Sequence, residues 1–311
     1  MLLSRRNIRI KVMQVLYSHL QDKEIPYANL EKNLLTNIDE ALRLYLYQIY
    51  LLCKTAEFAV EDASIRSSKF LPNEKDKQIS VRIFHNQVIQ RIFLDEDFKK
   101  QVHRFHFELL IDKDFIRKFF HELNSSKEYE QYVNEKNPSI RDDKKILFFL
   151  FHSILIRNEL CLQHLEDNFN NWADDTVILS NQLSAFLENI TKQLEKEVDE
   201  KKRIKIPNNM KEENEFASEL LNKTYYNEQY LEDLIQPKLK NWDMDRVAQT
   251  DLIVIKMAIA EMLYFPSIPV KATMNEYIDI LKSYSTPKSN EFVNGIIDRI
   301  LKDLQSKNLI K

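Results

Sequence analysis

NEFVNGIIDRIL, residues 290–301, spaces its apolar side chains for a helix: Val293, Ile296, Ile297, Ile300 and Leu301, with Leu304 beyond. It also holds Gly295, the one glycine among 311 residues. Glycine inside a helix costs about 1 kcal/mol against alanine. β-rich folds need glycine in their tight turns. A chain with one glycine and eight prolines is therefore read as helices joined by polar loops, an all-α protein. On a helical wheel Gly295 points away from the core face, on the side of Phe292 and Arg299. Either something approaches the backbone closely there, or Asn294–Gly295 is a poorly formed first turn where glycine costs less.

Apolar residues make up 44% of the chain, enough for a sizeable core, and the formal net charge is −3. Cys53 and Cys161 sit in apolar helical runs and read as buried thiols of a reducing compartment. Arginines occupy MLLSRRNIRIKV where a signal peptide needs an apolar stretch, and the longest apolar run, ILFFLF at 146–151, stops at His152. The expectation is a soluble cytoplasmic protein with no membrane partner. His103 and His106 lie three apart, but aromatics and leucines surround them, so they read as structural rather than metal ligands. The pairs Asp142–Asp143 and Asp174–Asp175 fall at expected helix starts, where carboxylates complement the helix dipole. One glycine permits neither a glycine-rich phosphate loop nor a serine elbow. No enzyme and no cofactor is expected.

Ser4 is placed to cap a first helix running to Gln21. Ile8, Val12, Val15, Leu16 and His19 share its core face, while Arg6, Arg9, Met13 and Tyr17 line a flank. Further helices are expected at about 30–67, 78–93, 95–110, 112–122, 142–167 and 174–198, with NSSKEYEQYVNEKNPS (124–139) as a polar break. EVDEKKRIKIPNNMKEENE (197–215) reads as a linker or exposed loop. Helices then follow at about 213–225, 228–237, 244–264, 270–284 and 289–306. LEDNFNNWADDTV (165–177) faintly echoes LEDLIQPKLKNWDMDRV (231–247), as a decayed duplication would.

Five elements recur in order at the two ends: Gln14 to Tyr17 closing an Arg-rich helix; Trp242, Arg246 and Ala258 to Glu261; Pro266 to Val270; Asn275–Glu276; and Phe292 to Gly295. Together they resemble the NusB family of transcription antitermination factors. About 120 residues carry the resemblance. It implies NusB-like helical bundles over 1–35 and 206–311, completed by the N-terminal helix, with 36–205 as an inserted helical region. It also implies binding of boxA-type single-stranded RNA of ribosomal RNA leader transcripts together with NusE, a small-subunit ribosomal protein. The RNA polymerase elongation complex is then an indirect partner. On this reading Arg5, Arg6, Arg9, Gln14, Lys288, Phe292, Gly295 and Arg299 form the RNA surface, and Tyr17 and Asp251 meet the protein partner. Glu261 and Asn275 read as structural polar groups between helices. Lys288 stands where the family is often acidic.

Three arginines on three phosphates would give a log–log salt slope of about −2. An alternative function is a helical interaction scaffold with a vestigial RNA surface. NusB-like domains also accompany RNA cytosine methyltransferases, but the glycine-rich cofactor site of those enzymes has no counterpart in this sequence.

Overall fold

A computed structural model describes residues 1–71, 79–196, 204, 206–239 and 246–310, and these are helical with no strand among them. They divide into two compact units. One comprises Met1, Leu3–Asp39 and Met210–Lys311; the other comprises Leu2 and Glu40–Asn209. The divisions fall four residues beyond the expected 35/36 and 205/206 boundaries. Helix α2 (Tyr27–Ser67) contributes residues to both units.

In the first unit, α1 (Arg5–Gln21) starts at Ser4, whose side chain accepts a bond from the Asn7 amide. It packs on α10 (Lys211–Tyr226), α12 (Gln249–Tyr264) and α13 (Val270–Tyr284). Helix α12 also touches α11 (Glu228–Ile235) and α14 (Pro287–Ser306). Its buried Ile253, Val254, Ile255, Met257, Ala258, Ile259, Ala260 and Met262 encircle the axis, as a helix with neighbours on every side requires. Arg9 meets Glu261 and Gln21 meets Gln249. Twelve residues forward on α1 thus match twelve backward on α12, and the two helices are antiparallel.

The second unit contains α3 (Gln87–Phe93), α4 (Glu96–Arg104), α5 (Lys113–Asn124), α6 (Lys127–Asn134), α7 (Ile140–Phe149), α8 (Glu159–Asn168) and α9 (Trp172–Glu195). Several expectations need correction here. The supposed polar break holds α6, capped by Ser126 and anchored by buried Tyr129 and Tyr132. Two tyrosines three apart suffice to seat a two-turn helix whose other faces stay wet. The expected single helix over 142–167 is interrupted. A π-helical turn (Leu150–Ile154) and a 3-10 turn (Leu155–Arg157) follow α7, and Asn158 then caps α8. Helix α4 ends at Arg104, and two residues on the chain turns at His106, whose φ of 51° is left-handed.

Asp142 completes a capping box with Ser139, while Asp143 accepts the Gln87 amide and the Tyr132 hydroxyl. Both carboxylates are structural. His103 and His106 stack edge to face at 5.8 Å, and no metal-ligating cluster of three occurs among the described residues. Among the described residues no single helix is long and apolar enough to cross a membrane. Residues 197–203 and Lys205 of the expected linker lie outside the described residues, as does Trp242 with the rest of 240–245 in the second copy of the 165–177 echo.

Candidate nucleic-acid interface

The arginines of α1 do not act alike. Arg9 is buried, and its guanidinium forks onto Glu261: Nε donates to Oε2 at 2.8 Å and Nη2 to Oε1 at 2.6 Å. Thr273 Oγ1 donates to the same Oε1 at 2.8 Å, and the Tyr277 hydroxyl donates to Oε2 at 3.1 Å. Phe216 and Tyr277 present their rings at 5.5 and 5.6 Å. Burial, the largest single influence, would lower the Arg9 pKa, but the Glu261 bonds together with the neighbouring Tyr277 and Glu276 leave the value raised. Burial, with Glu261 nearby, lifts the Tyr277 phenol well above its ordinary value, so it stays a donor. Glu261 is the structural group the sequence suggested. Asn275 is not: it lies exposed on α13.

Arg6 is half-exposed and pairs with Glu276 at 2.8 Å and Asp279 at 2.8 Å. The Glu276 bond is the main reason its pKa is raised. Arg5 is exposed, with its guanidinium 5.5 Å from the Phe216 ring centre. Two of the three expected phosphate ligands are thus committed to carboxylates of α12 and α13, and Arg9 is out of reach of solvent. The partners lie 252 and 270 residues away in sequence, so the cluster looked free when α1 was read alone.

Gln14 is half-buried and engaged within the protein. Met13, placed on the exposed flank by the wheel, is buried. Tyr17 is 42% exposed. Asp251 is buried, and its carboxylate accepts from Ser285 Oγ at 2.6 Å. The exposed partner contact expected there is not presented: the bond ties the start of α12 to the end of α13.

Helix α14 carries the other half of the expected surface. Thr286 caps it and Pro287 opens it, so Gly295 sits in its interior and not in a loose first turn. A Cβ built on Gly295 meets no atom within 4 Å. The first helix therefore does not occupy that space. Lys288, Gly295 and Lys302 recur every seven residues, with Phe292 and Arg299 beside them. Lys288 and Arg299 are exposed; Arg299 donates to the Lys238 carbonyl at 3.3 Å. Lys302, which the sequence reading missed, is exposed on the same stripe and pairs with Asp298 at 2.7 Å. Its seven-residue spacing from Gly295 was the available signal. Helices α1 and α14 both pack on α12, and α13 touches both.

The first unit is all-helical among the described residues, its N-terminal helix is held by a buried ion pair, and Lys288, Arg299 and Lys302 lie on the face of α14 that carries the open glycine. In the comparison with known families, residues 177–302 match the model of the NusB family. The match starts inside α9 and ends in α14; α1 lies outside it. Relatives named transcription antitermination protein NusB include that of Geobacter sp. (strain M21), 42% identical over 30% of this chain and 63% of its own. That of Salinibacter ruber is 39% identical over 30% and 58%, and that of Chloroherpeton thalassium 38% over 31% and 46%. The chain thus spans less than two thirds of the length of these relatives. No solved structure matches it.

Proposed function

We propose that this protein is a non-enzymatic cytoplasmic transcription antitermination factor. Its first unit binds boxA-type single-stranded RNA of ribosomal RNA leaders together with NusE, and through that pair it reaches the elongating polymerase. The relatives' names and the family match support the class. The observation that carries the RNA reading is the outward stripe on α14, where cations and a half-buried Phe292 flank an open glycine. Single-stranded RNA needs cations along its backbone and faces on which bases stack, and bare backbone lets a strand come close.

The phosphate ligands are Arg5, Lys288 and Arg299, with Arg6 recruited only when its carboxylates release it. Three phosphates still give a slope of about −2 in log K against log salt. Tyr17 remains available for a partner or a base. The test is a boxA RNA titration, with and without NusE, of wild type and an Arg5→Ala/Lys288→Ala/Arg299→Ala variant. Tighter binding with NusE and a slope reduced in the variant are expected. Equal affinity and equal slope for both proteins would refute the assignment. RNA-independent NusE binding would favour the scaffold reading.

A further inference from the structure

A second aromatic surface of the first unit is built from α1, α2 and α10. Tyr27, at the start of α2, meets Tyr225 at 5.1 Å and Tyr226 at 4.9 Å between ring centroids, and Tyr225 and Tyr226 meet edge to face at 5.1 Å. His19 backs Tyr225 from α1 at 5.1 Å. Three mutually braced rings have little rotamer freedom left to lose on binding. Yet Tyr226 is 63% exposed, and Tyr230, one turn on, is 42% exposed. Rigid, solvent-facing tyrosines are the usual anchors of a protein interface.

The surroundings are acidic. The turn leading into Tyr27 carries Asp22 and Glu24, both exposed, and Glu31 follows one turn later. Four residues on, Glu31 shares the Tyr27 face of α2; burial first, with Glu31 a lesser cause and a hydrogen bond with Asn222 opposing, pushes the Tyr27 phenol above its ordinary value. Lys23 is drawn to Glu228 at 3.5 Å. Lys256 serves Glu228 and Glu232 from the interior. No such ion pair forms on Asp22, Glu24 or Glu31 among the described residues. Aromatic faces attract guanidinium groups, and unpaired carboxylates attract them further. The same carboxylates repel phosphates.

We propose that Tyr27, Tyr225 and Tyr226, with Asp22, Glu24 and Glu31, form a docking surface for an arginine-rich protein segment. The surface shares no residue with the α14 stripe and does not depend on what that stripe binds.

The test uses the full chain and fluorescence anisotropy with three labelled probes: an alternating Arg-Gly peptide, its Glu-Gly counterpart and a twelve-nucleotide oligouridine. The Arg-Gly peptide is expected to bind and the Glu-Gly peptide not to. Tyr226→Ala is expected to weaken the Arg-Gly peptide about tenfold, with Tyr226→Phe restoring it. Glu24→Gln/Glu31→Gln is expected to weaken it to a similar degree, whereas Glu128→Gln in the second unit leaves it unchanged. Helical content by circular dichroism checks each fold. Absence of Arg-Gly binding, or binding indifferent to Tyr226→Ala, overturns the proposal. Oligouridine binding lost in Tyr226→Ala also overturns it, making the rings a platform for bases.

Discussion

Gly295→Ala separates folding from binding at one atom. Gly295 is nine residues into α14, counted from Pro287, with helix on both sides. The added Cβ meets nothing within 4 Å, so it brings neither clash nor packing. What remains is the backbone term, about 1 kcal/mol in favour of alanine in a helix interior. The first unit should therefore become more stable by on the order of 1 kcal/mol. With two units, a single global melting curve is a poor measure. Native-state hydrogen exchange on amides of α14 reads the change locally, and 1 kcal/mol corresponds to about a fivefold rise in protection. Gly295→Leu should fold equally well, since leucine is also a better helix former than glycine. If RNA or protein backs onto this glycine, the leucine variant should lose about tenfold or more in boxA affinity with fold intact. A destabilised alanine variant would refute the structural argument. A well-folded leucine variant with unchanged affinity would refute the functional one.

Other outcomes follow from the same geometry. Arg9→Ala leaves Glu261 charged and buried without its fork and should destabilise the first unit by about 3–5 kcal/mol in urea unfolding; a loss under 1 kcal/mol would contradict the clamp. Asp251→Ala should cost about 1–3 kcal/mol, because Ser285 loses its acceptor, whereas exposed Tyr17→Ala should leave stability within about 0.5 kcal/mol. Burial lowers the pKa of His164 from its ordinary 6.5, and that of His152 likewise. Their neutral forms are favoured in the fold, so the contribution is fully present above pH 6.5 and is lost as pH falls toward the lowered values. Urea midpoints of a Trp242→Phe variant, followed by the fluorescence of Trp172, should drop between pH 7 and about pH 5.5; equal midpoints would count against it. Burial raises the Cys161 thiol to about 12 and the Cys53 thiol further still. Neither should react with a thiol reagent until urea unfolds the chain.

How far the sequence could be read varies by feature. The near absence of glycine fixed the helical class, because helices need no positive-φ residues and turns in sheets do. Ser4, Pro287 and the spacing of Val293, Ile296, Ile297 and Ile300 fixed two helices, since caps and periodicity are local properties of the chain. The ordered motifs at the ends pointed to the NusB family. What stayed hidden was anything set by a distant partner. Arg6 and Arg9 looked like a free cationic flank until α12 and α13 supplied Glu261, Glu276 and Asp279. Asp251 looked exposed until Ser285 came beside it. Helix α6 escaped notice because two buried tyrosines, not a periodic face, hold it. Charge type and helical spacing are written in the chain itself. Whether a charge faces water or another charge is decided only when helices hundreds of residues apart pack together.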